Sequence, residues 1–126
     1  IRSILSIVEQ GGVKISDDRY VMPVPILVGR DADKLQRLAT ELKIERWTTN
    51  LDEALADERN VIYFDSQITQ QRVGAVKKAI RAGKHVYCEK PLAESASDAY
   101  ELYRLAQEAG IKHGIVQDKL WLPGMQ

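Results

Sequence analysis

Residues 82–93 read Ala-Gly-Lys-His-Val-Tyr-Cys-Glu-Lys-Pro-Leu-Ala, and the division of this stretch decides the fold. His85 to Cys88 is a short apolar run of the kind that forms a buried strand. Gly83 sits where a preceding helix favours a left-handed residue after its last turn. Glu89 and Lys90 put two charges directly after the strand, and Pro91 fixes the backbone and turns the chain out of the sheet. The stretch is thus helix end, strand, charged corner.

The same grammar extends in both directions. Upstream, Val73, Val76 and Ile80 predict a helix over residues 70–82, and Val61 to Phe64 predict the strand before it. Downstream, Ser95 and Asp98 form a capping box for a helix with Leu102, Leu105, Ala106 and Ala109 inward. Gly110 ends it, and a strand centred on Gly114 to Val116 follows within residues 112–117. Nearer the start, Pro23 and Pro25 bound a strand at Ile26 to Val28 that ends at Gly29. Asp31 or Asp33 can cap a helix carrying Leu35, Leu38, Ala39 and Leu42. Arg46 to Thr48 is a weak strand, and Asn50 followed by Glu53 starts a short helix through Leu55.

Ile1, Ile4, Leu5 and Val8 lie on one helical face, and residues 9–22 read as a long polar loop with a short extended piece at Val13 to Ile15. Asp17 and Asp18 there read as a solvated turn, since no further hard ligands surround them. Apolar strands without period-2 alternation, joined by helices through short connections, predict a doubly wound parallel α/β sheet with helices on both faces. The helix begins at the first residue and the tail 120–125 is apolar, so the expectation is a partial dinucleotide-binding domain over residues 1–117 that lacks its first strand and glycine-rich turn. Residues 118–126 are expected to begin a crossing to a second, substrate-binding domain.

Composition excludes several classes. With 44% hydrophobic and 29% charged residues the chain is an ordinary globular sequence. Eighteen basic side chains balance 18 acidic ones, so no general field attracts nucleic acid or an anionic membrane. No run approaches the roughly 18 apolar residues of a membrane helix. A lone cysteine, Cys88, excludes an internal disulfide and a multi-cysteine metal site, reads as a buried thiol, and is compatible with a reducing compartment such as the cytoplasm.

In doubly wound sheets ligands bind outside the carboxyl ends of the strands. The residues just past the strands are Gly29-Arg30-Asp31, Asp65-Ser66-Gln67, Glu89-Lys90-Pro91 and Gln117-Asp118-Lys119. A lysine at such an edge can present its ammonium to a hydroxyl or carbonyl, and Glu89 can orient Lys90 or pair with it. His85 and His113 open their strands and read as structural.

Residues 82–93 resemble the AGKHV-x-x-EKPLA signature of the Gfo/Idh/MocA oxidoreductases. Ile62 to Gln67 falls where that family has a strand ending in a Thr-Pro-Asn-like turn, although this chain carries Asp65 and Gln67 there and no proline. The resemblance implies an NAD(P)-dependent dehydrogenase that transfers a hydride to or from a secondary alcohol of a sugar, cyclitol or related polyol. It implies that Lys90 contacts substrate and nicotinamide, that the Lys90–Pro91 peptide can be cis, and that Asp65, Ser66, Gln67 and Glu89 line the cofactor. Asp118 and Lys119 stand where the family crosses to its substrate domain and are candidate substrate contacts. The implied partners are a small polyol or sugar and, in the full-length protein, further copies of the chain.

Cofactor choice stays open at this level. An acidic residue after the second strand suits the ribose hydroxyl of NAD, and an arginine suits the 2′-phosphate of NADP. Arg30-Asp31 offers both. The chain by itself, without a phosphate-cradling turn, is expected to bind dinucleotide poorly and to be inactive. The competing readings are a non-catalytic dinucleotide sensor, which the fold alone permits, and a flavodoxin-like signalling domain, which leaves the Glu-Lys-Pro corner unexplained.

Overall fold

The computed structural model describes residues 2–117, with side chains from residue 4 onward. It divides into two compact units, residues 1–50 and 51–126.

In the first unit, helix α1 (Arg2–Glu9) is followed by β1 (Val13–Ser16) and β2 (Arg19–Val21), an antiparallel hairpin. Sequence reasoning expected a long loop with a short extended piece at Val13 to Ile15, which falls in β1, but neither β2 nor the pairing. The hairpin escapes it because its apolar residues face water: Val13, Ile15, Tyr20 and Val21 are 47–59% exposed. Gly12 permits the hairpin's start, with φ +95 and a Cβ position only 2.7 Å from the Val21 carbonyl oxygen. Then come β3 (Ile26–Val28), α2 (Ala32–Glu41) and β4 (Arg46–Thr48), with β3 and β4 parallel. Asp31 caps α2, its Oδ1 accepting the Lys34 N–H at 2.9 Å, and Leu35 and Ala39 form the buried face.

In the second unit, α3 (Leu51–Ala56), β5 (Ile62–Asp65), α4 (Thr69–Arg81), β6 (His85–Cys88), α5 (Ala96–Glu108) and β7 (His113–Ile115) build a three-stranded parallel sheet in the order β5-β6-β7. Ser95 caps α5 through the Asp98 N–H at 3.1 Å and gives its hydroxyl to the Asp98 carboxylate at 2.7 Å. Helices α2, α4 and α5 all close with a bond spanning five residues, from Ile44, Lys84 and Ile111 N–H to the carbonyls of Ala39, Ala79 and Ala106. Gly83 supplies the left-handed residue that this needs after α4.

Sequential strand order has a consequence for layering. Right-handed crossovers between strands adjacent in sequence and in space put their helices on one face. The core of this unit accordingly joins Val86 and Cys88 to Leu55, Val76, Ala79, Ile80, Leu102 and Ala106. The opposite face, with Ile62, Phe64 and Tyr87, is open among this unit's described elements. Helices on both faces require the strand order to reverse, and these three strands do not reverse.

Candidate active site

The register of the second unit sets its carboxyl edge. Asp65 pairs with Cys88 and Cys88 with Ile115, so Ser66, Glu89 and Val116 emerge at one level. Two further ladder bonds hold that level: Glu89 N–H to the Asp65 carbonyl at 2.9 Å and Val116 N–H to the Cys88 carbonyl at 2.8 Å. The turn at 66–67 and the corner at 89–91 are therefore neighbours by construction.

Beneath them lies a buried charge pair. Asp65 is 0% exposed and Arg72, from the first turn of α4, is 2% exposed. Arg72 Nε donates to Asp65 Oδ2 at 2.5 Å, one terminal nitrogen donates to the Gln67 carbonyl, and the other to the Pro91 carbonyl. Asp65 Oδ1 also accepts the Tyr63 hydroxyl at 3.0 Å and the Gln67 side-chain amide at 2.9 Å. The amide is shared with the Tyr63 oxygen at 2.9 Å. Burial, with the Asp65 charge second, pushes the Tyr63 phenol up, so it stays a donor. Every buried side-chain polar atom among the described residues has a partner, as a low-dielectric network demands.

Above this network the Lys90–Pro91 peptide is cis. Glu89 accepts the backbone N–H of Lys90 on Oε2 at 3.3 Å, so it steadies the corner through the main chain. The Lys90 side chain is exposed, and its ammonium meets no carboxylate among the described residues. Helix α4 (Thr69–Arg81) starts in the same segment; its N-cap Ile68 offers no side-chain cap, and the Ile68 carbonyl takes the Gln71 N–H at 3.1 Å. An exposed cation at a strand's carboxyl edge can receive an anionic or carbonyl-bearing ligand.

A family model described as an oxidoreductase family with an NAD-binding Rossmann fold matches residues 14–116. The chain belongs to the Gfo/Idh/MocA oxidoreductases. Among its Gfo/Idh/MocA relatives, D-xylose dehydrogenase of Paenarthrobacter nicotinovorans is 44% identical over 99% of this chain and 32% of its own length. The 1,5-anhydro-D-fructose reductase of Ensifer adhaerens is 35% identical over 70% of this chain and 26% of its own length. A levoglucosan dehydrogenase solved with NADH and levoglucosan superposes at TM-score 0.75 and 18% identity, covering 89% of this chain and 30% of that one, a likeness of fold. The chain thus spans about a third of the length of the first relative.

Within this Gfo/Idh/MocA domain the structure places the expected site residues unequally. Asp65, expected to line the cofactor, has its carboxylate wholly enclosed, because the strand alternation points it to the helix-covered face with Cys88. Gln67 turns its side-chain amide inward to Tyr63 and Asp65, gives its backbone N–H to Asp65 and accepts Arg72 on its carbonyl, and so leaves the exposed Ser66 as the outward residue of that turn. Arg72 was not singled out by sequence reasoning. The signal was there: it stands four residues before Val76 and eight before Ile80, a charge on the buried stripe of α4.

Arg30 and Asp31 follow β3 in the first unit, both exposed, with Asp31 engaged as the cap of α2. Asp118 and Lys119 lie outside the described residues. His85 accepts the Lys112 N–H on Nδ1 at 3.3 Å, and His113 stands edge-on to Tyr103 at 5.7 Å. Among the described residues no three His, Cys, Asp or Glu side chains converge to hold a metal, and no helix is long and apolar enough to cross a membrane.

Proposed function

We propose that the full-length protein is an NAD(P)-dependent dehydrogenase or reductase acting on a secondary alcohol of a sugar or related polyol, with Lys90 as its catalytic lysine in this domain. The observation that carries the reading is the Lys90 corner: an exposed ammonium at the carboxyl edge of a parallel strand, on a backbone tied down by Glu89 and Arg72. The sugar-acting names of two relatives support the substrate class.

In the second unit Ser66 and Glu89 would face the redox end of the cofactor, and in the first unit Arg30 and Asp31 are the candidates for its adenosine end. When bound, a nicotinamide supplies or accepts the hydride. The chain's own part is to orient and to manage a proton. Lys90 donates a hydrogen bond to the reacting substrate oxygen and holds the proton that oxygen gains or loses. Glu89 keeps the lysine's main chain in place. Residues 118–126 lead, on this reading, into a substrate domain, with Asp118 and Lys119 as sugar contacts. The buried Cys88 fits a reducing compartment such as the cytoplasm.

The test is turnover by the full-length protein with NAD or NADP against a panel of aldoses headed by D-xylose, followed through reduced-nicotinamide absorbance. Lys90→Ala is expected to lower kcat by about 100-fold or more, as removal of a positioned proton-transfer group does. Unchanged turnover in that variant removes Lys90 from the mechanism.

A further inference from the structure

An ion pair that served stability alone would need Arg72 only to meet Asp65. Here two of the three groups receiving its protons are backbone carbonyls, Gln67 and Pro91, on the two loops that leave the sheet at the candidate site. The last ladder bond between those segments is Glu89 N–H to the Asp65 carbonyl. Past it, the guanidinium ties the turn after β5 to the corner after β6 from below. The planar fork of arginine can address three acceptors on three segments at once, which the single nitrogen of lysine cannot do with the same geometry.

We infer that Arg72, held in place by Asp65, is a positioning residue that fixes the Lys90 corner against the 66–67 turn; the inference rests on the catalytic assignment of Lys90. Lys90 lies one residue before the carbonyl that Arg72 grips. Its long, exposed side chain has no described side-chain partner of its own, so its placement is inherited from the backbone. Displacing a reacting group by about 1 Å can cost about 100-fold in rate.

The experiment uses the full-length protein in three variants: Lys90→Ala, Arg72→Lys, and Arg72→Met combined with Asp65→Leu. The double substitution removes both charges, so no buried charge is left alone to unfold the domain. Amide hydrogen exchange is measured without ligand over residues 66–70 and 89–95, and kcat and KM are measured with NAD, NADP and D-xylose. In both Arg72 variants, faster exchange is expected in those two segments and not in α5, with kcat down about tenfold or more and KM for D-xylose moving less than about threefold. Wild-type exchange and kcat in both variants overturn the inference. Failure of both variants to fold also overturns it, by assigning the pair to stability alone. Loss of activity in Lys90→Ala beside wild-type rates in the Arg72 variants sinks the positioning role and leaves Lys90 standing. Wild-type turnover in Lys90→Ala removes the assignment of Lys90 and this inference with it.

Discussion

Lys84, the third residue of the signature stretch and only 7% exposed, donates its ammonium to the carbonyl of Asp57 at 3.0 Å. Asp57 follows the last residue of α3, where the negative end of the helix favours a cation, and its carbonyl also accepts the Asn60 N–H at 3.0 Å. The Asn60 side chain serves the same helix end by donating to the Ala54 carbonyl at 2.7 Å. Lys84 is therefore a brace for α3. Lys84→Met keeps the stem and loses the bond, and is expected to destabilise by about 1–3 kcal/mol, as for a hydrogen bond with a charged donor. A lowered melting temperature with unchanged kcat at permissive temperature is the predicted pair of results. A fall in kcat without a change in melting temperature would count against the brace.

A second prediction concerns the open face of the sheet. A Cβ added at Gly114 would lie 3.0 Å from both Cδ2 and Cε2 of Tyr87, the ring that also meets Phe64 at 5.8 Å. Gly114→Ala should cost about 1 kcal/mol by pushing the ring off its neighbour. In a Tyr87→Ala background the same change should be neutral or stabilising, because alanine strengthens a strand relative to glycine. The double-mutant cycle isolates the term. Equal costs in both backgrounds would show that the ring is not the obstacle.

The parallel strands and their helices were legible because each boundary carries a residue whose local chemistry permits little else. Gly83 closes α4 and Ser95 opens α5. Proline and glycine flank β3 so tightly that its bounds agree with the sequence reading to the residue. Of the hairpin, only the extended piece at β1 was legible; β2 and the pairing were not, since neither strand has a buried face to impose alternation. Of the site, the Lys90 corner and the cis peptide were readable from the motif. The inward turn of Asp65 was not, because a polar residue after an apolar run looks the same whether it faces solvent or a buried arginine seven residues on. Only a register count along β5, joined to the stripe of α4, connects them.

Cys88 yields a prediction in pH. Burial first, and the Asp65 charge second, raise its thiol from 9.0 to about 11, with Arg72 acting the other way. A thiol whose folded pKa lies above its unfolded one adds stability that is complete below the unfolded value and is lost as pH rises from about 9 to about 11. The native protein should therefore lose stability in proportion to one proton from about pH 9, and Tyr63, pushed up from 10.0 in the same sense, adds a second proton's loss from about pH 10 upward. Alkylation of Cys88 below pH 9 should follow the rate of opening and not the thiolate fraction. Rapid labelling of folded protein at neutral pH would contradict the burial argument.

The last prediction separates the two duties of Asp31. As cap of α2 it needs an oxygen for the Lys34 N–H, and asparagine supplies one as well as aspartate does. As the acidic residue after β3 it would, under the proposed function, repel the 2′-phosphate of NADP, and asparagine removes that repulsion. Asp31→Asn should therefore leave the melting temperature unchanged and raise the NADP-to-NAD ratio of kcat/KM by about tenfold, or about 1.4 kcal/mol. Asp31→Ala should show the same change in ratio together with a loss of about 1 kcal/mol from the uncapped helix. If the ratio stays fixed in both while only the alanine variant is destabilised, Asp31 is a cap alone, and discrimination between the two cofactors must be sought in residues other than this one.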